Sequence, residues 1–236
     1  GITLFNNWFS LSAYNVPLSI LILIITIVLL IYNTSNHRYD LKSPYYLLII
    51  LANMISLLLF PLVNDLIALY VVIELQSYSL YLLTGLHNRS YNASRASLLY
   101  FLMGGVASAI ILLASYFIYT LTGSTNLTDI SIFYEYSNAY DYFDILLFAL
   151  LFKMGMAPLH RWSIAVYNYA PTYITAYISV VAKISIASWI FTNAYLFNHH
   201  LLILFFYISL AIAAYKPLFQ VNLKSILAYS GLLNFG

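Results

Sequence analysis

The sequence predicts an all-α fold, a polytopic bundle of transmembrane helices with one helix broken at a proline. Three observations carry this reading. Residues are 63% hydrophobic and only 7% charged, whereas a soluble domain needs about 25% charged residues to cover its surface. Apolar runs of about 20 residues, the length that crosses a ~30 Å hydrocarbon layer, recur along the chain. Between these runs, basic and acidic connections alternate.

The runs lie at 16–33, 44–63, 66–86, 95–121, 142–169, 171–194 and 200–219, with an incomplete one from about 221. Gly104-Gly105, in the fourth, removes two side chains and invites close approach by a neighbouring helix. The fifth run contains Pro158, which lacks an N–H and should break the helix there. Segment 122–141 is rich in Asn, Ser and Thr and reads as an external loop. The chain begins without Met or a basic leader and stops inside an apolar run, so a fragment or one piece of a split polypeptide is expected.

Loop charges set the orientation. Arg38, Lys42, Arg89, Arg95, Arg161, Lys216 and Lys224 fall on one side if each run crosses once, and Asp65, Asp129, Glu135, Asp141 and Asp144 fall on the other. The basic side faces the matrix or cytoplasm by the positive-inside rule.

Three charges fit no loop: Glu74, Lys153 and Lys183. Glu74 lies nine residues past Asp65, and Lys153 nine past Asp144. At 1.5 Å per residue both sit roughly 14 Å in from the acidic side. Lys183, twelve residues past Pro171, enters from the basic side to a depth of roughly 18 Å. All three converge near the midplane, where a lone charge costs about 2.5–3.5 kcal/mol on the lenient insertion scale and therefore faces protein or a water-filled cavity. Equal depth from one side predicts contact or a water bridge between Glu74 and Lys153. Glu74 shares a helical face with Ser77, Tyr78 and Tyr81, and Lys183 shares one with Thr172, Thr175 and Ser179. Beyond Lys183 that face becomes Ile186, Ala187 and Ile190. His160, two turns from Lys153, is a possible relay, or else an interfacial histidine. His87, His199 and His200 sit at span ends and read as headgroup-level residues.

Other chemistry is missing. With no cysteine, disulfides and iron–sulfur ligation are excluded. No phosphate-binding glycine loop, zinc-protease motif or nucleophile elbow is present. No cofactor or metal is expected in this chain, and a net charge of +2 does not suggest nucleic acid.

Four stretches resemble the subunit 2 family of respiratory complex I, NADH:ubiquinone oxidoreductase. Asn64-Asp65-Leu66 through Ile73-Glu74-Leu75-Gln76-Ser77 looks like its fifth helix, and Phe152-Lys153-Met154-Gly155-Met156-Ala157-Pro158-Leu159-His160-Arg161-Trp162 like its broken seventh. Ala182-Lys183-Ile184-Ser185 resembles the eighth, and Asn222-Leu223-Lys224-Ser225 through Tyr229-Ser230 the start of the tenth. Leu159 and Arg161 depart from the family's usual Phe and small or apolar residue.

The resemblance implies two inverted five-helix, antiporter-like repeats. It divides this chain into an N-terminal membrane helix (1–43), the first repeat (44–194) and the start of the second (195–236). It implies a charge pair of Glu74 with Lys153, and Lys183 on a central polar axis, as proton-translocating residues of a subunit that does no redox chemistry itself. Its expected partners are membrane lipids, other membrane-arm subunits and, for a split polypeptide, a second chain supplying the C-terminal half. The expected location is the mitochondrial inner membrane, or alternatively a bacterial plasma membrane. Two other readings of the buried charges remain: an Mrp-type or free-standing cation/proton antiporter subunit, and a structural subunit with static ion pairs.

Overall fold

The computed structural model describes residues 2–36, 44–85, 91–132, 139–155, 172–215, 230 and 232–234. Pro158, His160, Arg161, Arg38, Lys42, His87, Arg89, Glu135, Lys216 and Lys224 lie outside the described residues.

Eight α-helices are described, and each follows a predicted run or fills a predicted loop. Ahead of them stands an unexpected β-hairpin, β1 (Ile2–Leu4) and β2 (Phe9–Leu11), with Ile2 opposite Leu11 and Leu4 opposite Phe9. Its turn places Phe5, Asn6 and Asn7 at φ of 53°, 54° and 66°, a left-handed region that asparagine tolerates better than most residues. Ser12 Oγ then accepts from the N–H groups of Tyr14 and Asn15 and starts α1 (Asn15–Asn36). The N-terminal segment is therefore a hairpin followed by a helix, rather than a helix alone.

α2 (Pro44–Leu59) opens on a proline, whose missing N–H costs nothing in a first turn. A 3-10 turn, Phe60–Leu62, leads to Asp65. Asp65 Oδ1 accepts from the Ile67 N–H at 2.8 Å and caps α3 (Leu66–Gly85). α4 (Tyr91–Thr122) runs for 32 residues and ends where Gly123, at φ 76°, turns its N–H back to the Tyr119 carbonyl.

The predicted external loop contains α5 (Leu127–Ile132). Asn126 Oδ1 caps it, accepting from the Thr128 N–H at 3.0 Å. Its Leu127 and Ile130 are fully buried. Backbone bonds from Leu66 N to Thr125 O and from Leu127 N to Asn64 O, both 2.9 Å, tie the segment to the start of α3. Apolar insertion of these two side chains makes a helix of what its composition marks as loop.

α6 (Tyr140–Met154) stops earlier than the proline predicts. Gly155 adopts φ 69° and its N–H bonds to the Leu151 and Phe152 carbonyls, so the break begins at a left-handed glycine cap. α7 (Thr172–Thr192) and α8 (His199–Tyr215) follow, joined through a 3-10 turn at Ala194–Leu196.

The buried apolar side chains form two clusters, one toward each end of the bundle. The acidic-side cluster includes Leu66, Leu69, Ile73, Ile111, Phe143, Leu147, Ile186 and Trp189. The other includes Ile22, Leu57, Leu80, Tyr81, Tyr100, Tyr177 and Val181. Large apolar side chains such as Ile24, Leu48, Leu102, Leu113 and Phe191 are exposed on the outside. An exterior so apolar matches a hydrocarbon surround.

Candidate functional site

Between the two apolar clusters lies a polar waist. On α3 it comprises Gln76, Ser77 and Ser79, all buried, between Ile73 and Leu80. On α7 it comprises Lys183 and Ser185, and on α4 Gly104 and Ser108. The helices meet here through hydroxyl, amide and ammonium groups. Polar groups at this depth must satisfy one another.

Lys153 occupies the last turn of α6 because Gly155 ends the helix there. The unpaired carbonyls of a helix C-terminus carry partial negative charge and favour a cation at this position. Its Nζ donates to Ser77 Oγ at 3.1 Å and to the Gly104 carbonyl at 3.3 Å. A methyl group at position 104 would run into the hydroxyl and ring of Tyr81, so glycine lets Tyr81 lie against α4 beside that carbonyl. A methyl group at position 105 would meet nothing within 4 Å among the described residues. Among the described residues, only the first of the two adjacent glycines serves close approach.

Glu74 is half-buried one turn before Ser77. Its Oε1 is buried and has no hydrogen-bond partner among the described residues. The ammonium of Lys153 is near enough to feel the carboxylate's charge, but its hydrogen bonds go to Ser77 and Gly104. The waist thus sets Lys153 against Ser77, one turn from Glu74 on α3, and no hydrogen bond reaches Glu74 Oε1 from the described residues.

Beside Lys153 is a small, partly open cavity of about 20 Å³, its mostly apolar wall interrupted by Gln76, Ser77 and Lys153. A space of this size is about that of one water molecule, with the polar groups of Gln76, Ser77 and Lys153 on its wall. Lys183 is 3% exposed and adjoins Ala182. Gln76 spans from the cavity wall to α7, its Nε2 donating to Ser185 Oγ at 2.9 Å. Thr172, Thr175 and Ser179 lie on α7 before Lys183, but their side chains are outside the described set. His160 is likewise outside it.

Sequence reasoning overlooks Gln76, Ser79 and Ser108 of the waist, and Asn53 and Tyr177 bonded beside it. The available signal is an amide in the middle of an apolar run, Leu51-Ala52-Asn53-Met54-Ile55, and a second amide two residues after Glu74.

A helical bundle with an apolar exterior and titratable groups held at its waist is a polytopic membrane protein in class. The chain belongs to the NADH:quinone oxidoreductase/Mrp antiporter transmembrane family, which it matches over residues 63–236. It is 79% identical over 235 residues to NADH-ubiquinone oxidoreductase chain 2 of Debaryomyces hansenii, covering 100% of this chain and 52% of that one. It is 60% identical over 209 residues to the same-named chain of Candida albicans, covering 88% of this chain and 44% of that one. The chain spans about half the length of the curated relatives it matches. A chain of Thermus thermophilus respiratory complex I has the same fold, with a TM-score of 0.80 at 23% identity over 98% of this chain and 53% of that one. With these fungal relatives and its apolar helices, the chain is a multi-pass protein of the mitochondrial inner membrane.

Proposed function

We propose that this chain is the first antiporter-like half of a proton-translocating subunit of complex I, with Glu74, Lys153 and Lys183 as the groups that carry protons. The observation that carries the reading is the buried waist, where Lys153 bonds to Ser77, one turn from a Glu74 oxygen without a partner among the described residues, and a water-sized cavity beside Lys153 is walled by Ala182 of the Lys183 helix. The proton on a lysine held away from water is sensitive to every charge beside it. Moving charge on or off Glu74 therefore alters how tightly Lys153 holds its proton, and a single water in the cavity can take that proton toward α7. Electron transfer would take place in other subunits, whose redox reaction this membrane subunit couples to proton movement.

The division at 44–194 and 195–236 into a first repeat and the start of a second belongs to the same proposal. So do the matrix-facing basic side, the possible relay role of His160, and the membrane-arm neighbours and lipids as partners. The 79% identity to an NADH-ubiquinone oxidoreductase chain favours this reading over an Mrp-type antiporter subunit of the shared family.

The test is proton translocation per electron in membranes carrying the assembled complex with Lys183→Met or Lys153→Met. The reading expects assembled complex in normal amount and a large loss of translocated protons. Undiminished translocation in Lys183→Met would refute it, and equal loss of assembly in both variants would favour static ion pairs.

A further inference from the structure

We propose that Asn53 and Gln76 are positioning residues that hold α7 from behind and so direct Lys183; this rests on the proton-carrying role given to Lys183 above. Asn53 is fully buried in an apolar stretch of α2. An amide there is costly unless both of its ends are bonded, and both are. The Tyr177 hydroxyl donates to Asn53 Oδ1 at 2.5 Å, and Asn53 Nδ2 donates to Ser79 Oγ at 2.9 Å. Ser79 Oγ in turn donates to the Gln76 carbonyl at 2.7 Å, and Gln76 Nε2 donates to Ser185 Oγ at 2.9 Å. One asparagine thus joins α2 to α3 and α7, and one glutamine joins α3 to α7.

The two anchors on α7 bracket Lys183. Tyr177 is six residues before it and Ser185 two after, so about 9 Å and 3 Å away along the axis. At 3.6 residues per turn, Tyr177 and Ser185 lie within roughly 80° of each other around α7, and Lys183 lies on the opposite side. Seizing α7 by that rear face fixes its roll, and the roll decides where the lysine points. Apolar packing alone would fix roll poorly at this depth, because lipid tails are as apolar as the side chains they would replace. The same turn of α3 serves both lysines: Ser77 accepts from Lys153, and Gln76 holds the helix of Lys183.

A purely structural network would change the amount of assembled complex. A positioning network changes protons moved per electron in the complex that does assemble. We expect Asn53→Leu and Gln76→Leu each to lower that ratio roughly fivefold, about the worth of one net buried hydrogen bond. Asn53→Asp, which as the neutral acid keeps one donor and one acceptor, should restore most of it. Ser56 is an internal control: it is as buried as Asn53, but among the described residues its hydroxyl bonds only to the Asn53 carbonyl of its own helix. Ser56→Ala should leave the ratio unchanged. A parental ratio in assembled Asn53→Leu, or an equal fall in Ser56→Ala, would overturn the proposal. Should Asn53→Leu fail to assemble, Tyr177→Phe removes a single hydroxyl from the same bond, and a parental ratio there would overturn it equally. Lys183→Met, measured alongside, separates the two claims. Its loss of translocation with a normal Asn53→Leu refutes positioning alone, and its normal translocation removes the reading on which positioning rests.

Discussion

Gly104 and Gly105 are adjacent on α4, yet replacing each with alanine should have opposite consequences. A Cβ on Gly104 meets the Tyr81 hydroxyl and comes within 2.7 Å of its ring carbon Cζ. Tyr81 is buried. Its ring is held edge-on against Tyr100 at 4.8 Å and Phe101 at 5.9 Å, and its carbonyl accepts from Ser97 Oγ at 2.9 Å. Overpacking of this kind costs about 1–3 kcal/mol. Against it stands the gain of about 0.5–1 kcal/mol from replacing a helical glycine with alanine. A Cβ on Gly105 meets nothing within 4 Å among the described residues, so the gain is what applies there. The propensity term is common to both variants, and their difference should equal the clash itself, about 1–3 kcal/mol. At about 2–4 °C per kcal/mol for a chain of this size, the unfolding midpoint of the detergent-purified complex should be several degrees lower in Gly104→Ala than in Gly105→Ala. Adding Tyr81→Leu to Gly104→Ala should recover part of the loss, since the two positions are in contact and their effects do not add. Equal midpoints, or a lower one for Gly105→Ala, would refute the reasoning.

Other outcomes follow from the same geometry. Ser77→Ala removes one of the Lys153 acceptors, and a hydrogen bond to a charged group is worth about 1.5–3 kcal/mol, so translocation per electron should fall by roughly tenfold or more. Ser108→Ala should instead be neutral or stabilising in a thermal unfolding scan, because Ser108 Oγ is buried without a partner among the described residues. Trp189→Phe loses the bond from Nε1 to the Val63 carbonyl at 3.1 Å and leaves that carbonyl unsatisfied, a cost of about 1–3 kcal/mol, which the unfolding midpoint measures. Because the chain has no cysteine, single cysteines report orientation cleanly: Ser131→Cys should react with an impermeant maleimide from the intermembrane side, and Ser94→Cys only from the matrix side.

Local chemistry along the chain is enough to reveal the spans and the residues out of place within them. Run 66–86 corresponds to Leu66–Gly85 and run 171–194 to Thr172–Thr192, because crossing a hydrocarbon layer demands a length and a composition that are visible locally. Glu74, Lys153 and Lys183 stand out for the same reason, since charge at that depth is costly wherever it points. Elements whose local chemistry is weaker escape such reading: the hairpin at Ile2–Leu11, and α5, whose apolar side chains insert into a core formed by distant helices. Pro158 marks a break in the fifth run, but Gly155, free to adopt a left-handed turn, ends the helix first. The pairing at the waist emerges only when the helices pack. Lys153 bonds to Ser77 and Gly104, Gln76 to Ser185 across 109 residues, and Tyr177 to Asn53 across 124. Each pairing depends on how far one helix has rolled against another, a quantity set by the sum of contacts along both helices and carried by no single stretch of chain.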